Sequence, residues 1–256
     1  MRRGFTKGLR FTIDLSKISG RTMEAPIGGE IQEPTVIDWG DGTSETITDG
    51  TFPEHTYADG AGDVFTITLR SATGHLPFCY WAKETSDIDT PSGPFTFGTI
   101  SIDHFAGRLG RQTARSYGSG IRNTRNLKYC DPRITGLSRW TSFASTFRTS
   151  GIEQNIGSFC FDFCESVSTI RGLFEWCKIT GTIPPGLFDN CQAITSVKTA
   201  FNGCSYLPPP LPILGKGLSG SYRNNGLLRR VFFGDAGTGS YGLRRDHDNL
   251  TVGGAI

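Results

Sequence analysis

The stretch Val36-Ile37-Asp38-Trp39-Gly40-Asp41-Gly42-Thr43 decides the fold of the first third of the chain. A short apolar run ends here in Gly-Asp-Gly, and Asp-Gly supplies the positive-φ positions that a tight β-hairpin requires. Outward from this turn, apolar residues alternate with polar ones over residues 11–15 and again over residues 65–69. This period of two predicts half-buried strands. Several short strands separated by turn signals predict a small β-sandwich.

The same residues carry a family resemblance. Residues 37–43, His55-Thr56-Tyr57 and residues 62–69 resemble the WGDG…HTY…G-x-Y-x-I signature of PKD-type domains, with Phe65 where that family usually has Tyr or another aromatic. PKD-type domains are immunoglobulin-like sandwiches, so the resemblance implies a PKD-like β-sandwich over residues 1–75. Trp39 is expected to fill its centre. His55 and Tyr57 are expected to fix a corner between strands through side-chain hydrogen bonds.

A metal site formed by Asp38, Asp41 and His55 is the alternative interpretation of this corner. Carboxylates in turns usually accept backbone N–H bonds, however, and no calcium-loop pattern follows these residues. The sequence therefore predicts no metal site here.

The middle of the chain contains a regular series of phenylalanines. The five members are Phe147, Phe161, Phe174, Phe188 and Phe201. The intervals between them alternate between 14 and 13 residues, so every second member begins a new repeating unit of 27 residues. We call these residues the ladder phenylalanines. Four of them are followed three positions later by a cysteine, and the fifth by Ser150. The ladder cysteines are Cys164, Cys177, Cys191 and Cys204. Self-similarity at this period predicts a solenoid.

A second resemblance lies in the same segment. Residues 172–177, 183–191 and 199–204 resemble the "IPxxLFxxC…tsf…tFxxC" pattern of BspA-like leucine-rich repeats from bacterial surface proteins. In that family a PKD-like module often precedes the repeats, and related sequences occur in bacteriophage structural proteins. The resemblance implies a BspA-like repeat solenoid over residues 136–214, followed by a Gly-rich C-terminal tail over residues 215–256. The predicted fold class is mainly β with short helices: a PKD-like β-sandwich followed by a short leucine-rich-repeat-like solenoid.

The cysteines fit this repeat better than a metal or disulfide framework. Seven is an odd number, so the cysteines cannot all pair. Because the ladder cysteines are spaced along the chain in step with the ladder phenylalanines, they are expected to stack as a column of small buried thiols instead of converging on zinc. Disulfides between alternate ladder positions are the alternative. Cys160 lies outside the series and is the thiol to test for reactivity.

Residues 76–135 are predicted to be a basic, Gly- and Ser-containing connector. Residues 105–129 contain no acidic residue. The candidate partner-binding residues in this segment are Arg108, Arg111, Arg115, Arg122, Arg125 and Lys128. Such a patch could contact phosphate, anionic polysaccharide or an acidic neighbouring subunit. A solvated surface with counter-charges elsewhere is the other interpretation. Nucleic acid is not expected as a partner, because the net charge is only +2 and no aromatic-plus-basic strand motif is present.

Catalysis, cofactors and metals are not expected from the motifs. The four histidines lie in no H-E-x-x-H pattern, and the chain has no nucleophile elbow and no phosphate loop. Residues 237–242 formally match a dinucleotide fingerprint, but no βαβ unit surrounds them. Asp246-His247-Asp248 is a metal candidate, with a charged tail as the preferred interpretation. Paired carboxylates for glycoside cleavage stay open, because they converge only in three dimensions.

Composition excludes further classes of protein. With 34 glycines in 256 residues a helical bundle is excluded, and 36% hydrophobic residues exclude wholesale disorder. No apolar run approaches the roughly 20 residues that span a bilayer, so no membrane span is expected. The N-terminus begins with basic residues as a signal peptide would, but residues 11–17 alternate apolar and polar where the apolar segment of a signal peptide should be, so no secretion signal is expected.

Together these features predict a non-enzymatic component of a bacteriophage virion, such as a fibre, baseplate or capsid-decoration protein. Its expected partners are other virion proteins or copies of itself, with host surface polysaccharide or protein as further candidates. A bacterial cell-surface adhesin with BspA-like repeats is the alternative. A polysaccharide-degrading enzyme is the third hypothesis.

Overall fold

The structure is a computed structural model, and it describes residues 8–27, 31, 33–48, 53–76, 79, 81, 94–106, 108–109, 120–136, 140–161, 164–184, 187–188, 191, 193–194 and 199–207. The chain divides into two compact units. The first comprises Met1–Ala114 and Asn123–Asp131, and the second comprises Arg115–Arg122 and Pro132–Ile256. No helix in the described ranges has the length and apolar character needed to cross a membrane.

The first unit is built almost wholly from strands. Its elements are β1 (Gly8–Asp14), a 3-10 turn (Leu15–Lys17), β2 (Thr22–Glu24), β3 (Thr35–Asp38), β4 (Ser44–Ile47), β5 (Glu54–Thr56), β6 (Val64–Ser71), β7 (His75–Leu76), α1 (Pro94–Gly98), β8 (Thr99–Ala106), β9 (Arg108–Leu109) and β10 (Tyr129–Cys130). A six-stranded sheet has the order β10-β8-β1-β6-β3-β4, and two-stranded sheets pair β2 with β5 and β7 with β9. The large sheet is mixed, because β10 runs parallel to β8 while the other pairs are antiparallel. The prediction of a mainly β protein with short helices is confirmed.

The central strands owe their pairing to the predicted alternation. In the register of β1 and β6, Phe11 lies opposite Ile67 and Ile13 lies opposite Phe65. All four side chains are buried. The edge of the Phe11 ring meets Trp81 with the ring centroids 5.8 Å apart. Because side chains on a strand point alternately to opposite faces, the buried set fixes which face of the sheet covers the core.

The Asp-Gly turn joins β3 to β4 as predicted. Gly40 and Gly42 both have positive φ, at 83° and 93°. The main-chain N–H of Trp39 donates to the carbonyl of Thr43 at 3.1 Å, which closes the turn. The hairpin is therefore set by local sequence, since only glycine adopts these φ values without strain.

The sheet extends past residue 75 into the segment predicted to be a connector. β8 pairs along β1, and β10 pairs with β8, so residues 76–135 contribute two of the six strands. Ile102 and Phe105 from β8 are fully buried. A carboxylate oxygen of Asp131 accepts a hydrogen bond from the N–H of Phe105 at 2.8 Å. The physical reason for the difference is that β8 alternates apolar and polar residues like β1, despite the basic residues that follow it.

The second unit contains little regular secondary structure in the described residues. Its elements are α2 (Arg133–Gly136) and a 3-10 turn (Ile156–Ser158). Two isolated parallel bridges join Ser142 to Thr169 and Asn155 to Thr180. No leucine-rich-repeat solenoid is identified from this secondary structure.

Main-chain hydrogen bonds in this unit nevertheless follow the repeat. In each of six such bonds, the separation of the two residues along the chain is one less than the length of the repeat. The first residue donates its N–H and the second accepts at its carbonyl oxygen. The pairs are Phe143 to Thr169, Ser145 to Arg171, Phe147 to Leu173, Thr149 to Glu175, Phe174 to Ala200 and Trp176 to Asn202. In these segments successive repeats therefore lie side by side.

Left-handed backbone recurs with the same period. The first set is Ser145, Gly172 and Thr199, with φ of 56°, 62° and 55°, and the second set is Thr149, Trp176 and Gly203, with φ of 58°, 61° and 74°. Neighbouring members of each set are separated by one full repeat. Positive φ is uncommon outside glycine, so its recurrence at non-glycine residues shows that the repeat imposes the backbone conformation.

The ladder phenylalanines form two columns in the core. Phe147, Phe174 and Phe201 stack with ring centroids 5.2 Å and 5.7 Å apart and interplanar angles of 2° and 18°. Phe161 and Phe188 form the second column at 4.6 Å. All five are buried. The alternating intervals in the sequence thus correspond to two stacks, and each repeat contributes one ring to each stack.

Candidate functional site

The corner predicted from His55 and Tyr57 is closed by hydrogen bonds and ring contacts in the first unit. His55 Nε2 lies 2.7 Å from Asp41 Oδ2, and the Tyr57 hydroxyl donates to the carbonyl of Trp39 at 3.0 Å. The imidazole stacks on the Trp39 indole with centroids 4.9 Å apart, and the Tyr57 ring stacks on Phe65 at 4.1 Å. Trp39 is buried in the core as expected. These contacts fix the fold of the corner.

The two carboxylates of the metal hypothesis are used by the turn. Asp41 Oδ1 accepts from the N–H of Thr43 at 3.0 Å and from its hydroxyl at 2.6 Å, while Oδ2 faces His55. Asp38 Oδ1 accepts from the N–H of Gly40 at 3.0 Å. Among the described residues, no group of three or more His, Cys, Asp and Glu is arranged to hold a metal ion. The geometry of this corner is that of a side-chain-stabilised turn.

Replacing Asp41 by asparagine is expected to lower the free energy of unfolding of the first unit by about 1–3 kcal/mol at pH 7, because charge-assisted hydrogen bonds become neutral ones. Burial alone would raise the pKa of Asp41, but hydrogen bonds from Thr43 and His55 outweigh it and lower this pKa from 3.8 to about 2. The contribution is complete above the unfolded pKa and is lost as the pH falls toward 2. Urea unfolding at pH 7 and near pH 3 measures both effects.

The loss of unfolding free energy between pH 7 and pH 3 is expected to be smaller in the Asp41→Asn variant than in the wild type, but not zero. Glu33 remains in the variant, and hydrogen bonds from the Ser71 and Thr73 side chains lower the pKa of its carboxyl group from 4.5 to about 2. Equal unfolding midpoints for the two proteins at pH 7 would contradict a stabilising role for the Asp41 carboxylate.

The six basic residues of the predicted partner-binding patch do not all lie in one described part of the structure. Arg111 and Arg115 lie outside the described residues, and for Arg108 the main chain is described, in β9. Arg122 is half-buried and belongs to the second unit. Arg125 and Lys128 belong to the first unit and are exposed on the segment before β10. Of the set, the described residues bring only this last pair onto one exposed segment.

A polar row that the sequence analysis missed crosses three repeats of the second unit. It consists of Arg148, Glu175 and Asn202, each directly after a ladder phenylalanine. Arg148 Nε lies 3.1 Å from Glu175 Oε2, and Asn202 Nδ2 donates to Glu175 Oε1 at 3.2 Å. Glu175 therefore links the repeats on both sides of it. The row could have been predicted from the sequence, because a polar residue recurs directly after the ladder phenylalanine of each of these repeats.

Trp176 lies beside this row. The backbone of Trp176 is left-handed, and its main-chain N–H donates to the carbonyl of Asn202 at 2.7 Å. Its side chain is 45% exposed. The indole lies over Gly203, where an added Cβ would overlap its ring carbons. Main-chain geometry therefore holds a partly exposed tryptophan in one place. Tryptophan is enriched where protein surfaces bind partners.

The ladder cysteines are buried, and none of them forms a disulfide. The Cys177 thiol donates to the carbonyl of Phe147 at 2.8 Å, and the Cys204 thiol donates to that of Phe174 at 2.9 Å. Burial raises the pKa of Cys177 to about 12 and that of Cys204 well above its usual range. These two thiols act as reduced donors that tie one repeat to the preceding one.

Comparison with protein-family models, curated proteins and solved structures finds no match to this chain. Function is therefore inferred from the chain's own residues. The polar row and Trp176 form the surface feature that the repeat builds and orders in advance, so they are the candidate interaction surface.

Proposed function

We propose that this chain is a non-enzymatic structural and binding component of a bacteriophage virion, in the role of a fibre, baseplate or capsid-decoration protein. It acts through contacts with other virion proteins, with copies of itself, or with glycan or protein on the host surface. In this proposal the first unit is a PKD-like β-sandwich. The second unit is a short leucine-rich-repeat-like solenoid of the BspA type.

Several contacts support these fold assignments. Tyr57, directly after β5, stacks on Phe65 in β6, which brings a strand of the small sheet against the large sheet as a sandwich requires. In the second unit, the main-chain hydrogen bonds between successive repeats and the stacked ladder phenylalanines are what a solenoid with this repeat would produce.

The observation that carries the binding role is the polar row with Trp176. Glu175 is bonded to Arg148 and Asn202 in the folded chain, so little side-chain freedom is left to lose when a partner binds. Trp176 adds a partly exposed aromatic of the kind that dominates binding energy at interfaces. Repeat proteins use such extended regular surfaces for binding.

The packing of the ladder cysteines is compatible with folding in a reducing cytosol, as the virion proposal requires. Cys177 Sγ lies 2.8 Å from the carbonyl oxygen of Phe147, and Cys204 Sγ lies 2.9 Å from that of Phe174. The folded repeat therefore has a partner for both residues as thiols.

Mass spectrometry of purified virions tests the proposal. Peptides of this chain are expected in stoichiometric amounts in particles from the phage that encodes it, and their absence from the particle would overturn the proposal. Labelling of surface proteins on intact bacterial cells would detect the adhesin instead. Release of new reducing ends from capsular polysaccharide would support the enzyme hypothesis.

Replacing Trp176 by alanine is expected to weaken attachment of the chain to its particle by about 30-fold, the effect of truncating a central interface residue. The measurement is the amount of variant recovered on particles that lack the natural chain and are supplied with purified protein. Val64→Ala is the matched control, because Val64 is 59% exposed on β6 of the first unit. Equal recovery of wild type and Trp176→Ala would remove Trp176 from the interaction surface.

A further inference from the structure

Three thiols in the second unit are not used by the proposed function. Cys164 and Cys191 hold the same position in successive repeats, and both are buried. Phe161 and Phe188, three residues before them, have ring centroids 4.6 Å apart, which brings the two repeats together at this position. Cys160 precedes Cys164 by four residues and is half-buried. One partly accessible thiol therefore accompanies two buried thiols in neighbouring repeats.

The other pair of ladder cysteines is arranged differently. Cys177 and Cys204 are also separated by one repeat, but each thiol donates to the carbonyl of a ladder phenylalanine in the preceding repeat. No half-buried cysteine like Cys160 accompanies that pair among the described residues. The thiols of this second pair are already engaged with the main chain, which makes the pair an internal control for Cys164 and Cys191.

We propose that Cys160, Cys164 and Cys191 form an oxidative cross-linking site, in which a small disulfide such as oxidised glutathione reacts at Cys160 and the reaction ends in a Cys164–Cys191 disulfide between successive repeats. This site does not depend on the virion assignment. Its consequence is a covalent link between two repeats that are otherwise held by hydrogen bonds and packing.

The reaction is a sequence of three thiol–disulfide exchanges. The Cys160 thiolate attacks oxidised glutathione, forming a mixed disulfide and releasing one glutathione thiolate. The Cys164 thiolate then attacks the Cys160 sulfur, forming a Cys160–Cys164 disulfide and releasing the second glutathione thiolate. Finally, the Cys191 thiolate attacks the Cys164 sulfur, which forms the Cys164–Cys191 disulfide and returns Cys160 as a thiolate. Two protein thiols lose two electrons and two protons, and one glutathione disulfide becomes two glutathione thiols.

Accessibility sets the order of these steps. Cys164 and Cys191 are buried, so glutathione cannot reach them directly, whereas Cys160 is partly exposed. Contact with the Cys191 thiol, followed by burial, raises the pKa of Cys164 well above its usual range, so transfer from Cys160 is expected to be slower than the first step. The mixed disulfide on Cys160 should therefore appear first and then decay.

The experiment treats the full reduced chain, under native conditions and without oxygen, with oxidised glutathione. Samples are quenched in acid, alkylated after denaturation, digested and mapped by mass spectrometry. A peptide pair joined through Cys164 and Cys191 is expected, preceded in time by glutathione on Cys160, with Cys177 and Cys204 still alkylated. A mixed disulfide that stays on Cys160 while Cys164 and Cys191 remain alkylated would overturn the proposal. Equal oxidation of the Cys177–Cys204 pair would also overturn it.

Serine variants separate the roles of the three sulfurs. Ser150 occupies the ladder-cysteine position of its own repeat, so serine fits that position. Cys160→Ser is expected to slow formation of the Cys164–Cys191 link at least 10-fold, whereas the matched control Cys177→Ser leaves its rate unchanged. Cys164→Ser is expected to trap glutathione on Cys160. An unchanged rate in Cys160→Ser would overturn the entry role of Cys160, and the peptide map of the wild type tests the link even if a variant fails to fold.

Cross-linking is also expected to raise the melting temperature of the second unit by about 5–10 °C, because the disulfide restricts the unfolded chain. Reduction by dithiothreitol should return the melting temperature to its starting value. A cross-linked protein that melts at the same temperature as the reduced one would contradict a link between repeats that are properly stacked.

Discussion

Replacement of Phe174 by alanine is expected to lower the free energy of unfolding of the second unit by about 3–5 kcal/mol. Phe174 is the middle ring of the longer column, between Phe147 and Phe201, and its ring also meets Phe159 with centroids 4.9 Å apart. The side chain is fully buried. Alanine would leave a cavity bounded by rings from three neighbouring segments, and these rings cannot all move into it without breaking the main-chain hydrogen bonds between repeats.

Hydrogen exchange in increasing urea, read by mass spectrometry, measures this loss in each unit separately. The first unit supplies an internal reference, since the ring contacts of Phe174 described above lie within the second unit. Tyr206→Ala is the matched control in the second unit, because Tyr206 is an aromatic residue that is 59% exposed, and its loss should change stability by no more than about 0.5 kcal/mol. A loss below about 1 kcal/mol for Phe174→Ala would contradict the stacked column.

The column could be predicted from sequence because its signal is local and repeated. A phenylalanine at regular intervals and a cysteine three positions later identify the same position in each repeat. The chemistry of that position is less predictable. The pattern places Cys177 and Cys204 three residues after a ladder phenylalanine, but it does not show that each thiol donates a hydrogen bond to the carbonyl of the ladder phenylalanine one repeat earlier. That hydrogen bond depends on the stacking of successive repeats, which forms only in the folded chain.

In the first unit, local patterns predicted the strands better than their partners. The alternation around Phe11 and Phe65 and the Asp-Gly turn are visible within a short stretch of chain. The place of β8 beside β1 and of β10 beside β8 depends on pairing between distant segments, which no short pattern encodes. The basic residues after β8 favoured the prediction of a connector, although the charge of a segment says little about its pairing inside a sheet.

The corner at His55 and Tyr57 and the surface at Trp176 also differ in how far they could be predicted from the sequence. His55 and Tyr57 were predicted to fix a corner, and the structure provides the hydrogen bonds to Asp41 and to the carbonyl of Trp39. Trp176 was not singled out. Its placement needs left-handed backbone at a bulky residue and a glycine one repeat later to make room for the indole, and both follow from stacking that forms only in the folded repeat.

Replacement of Gly40 by alanine is expected to lower the free energy of unfolding of the first unit by about 3–5 kcal/mol, as the sum of left-handed strain and overpacking. Gly40 has φ of 83°, and a Cβ there would lie 2.5 Å from the carbonyl oxygen and 3.0 Å from the nitrogen of Thr66. Thr66 is in the middle of β6, paired with Thr12 of β1. Relief of the clash must therefore move backbone at the centre of the large sheet.

Gly42→Ala separates the two causes of that loss. Gly42 has φ of 93° in the same turn, but a Cβ at this position meets nothing within 4 Å. Alanine at Gly42 is expected to cost only the conformational strain, about 1–2 kcal/mol. Urea unfolding of the two variants in parallel gives the difference, which is the cost of pressing the hairpin against β6. Equal losses would mean that strain at positive φ alone explains both glycines and that the turn does not pack against the sheet, whereas a larger loss at Gly40 ties the turn directly to the strand that organises the first unit.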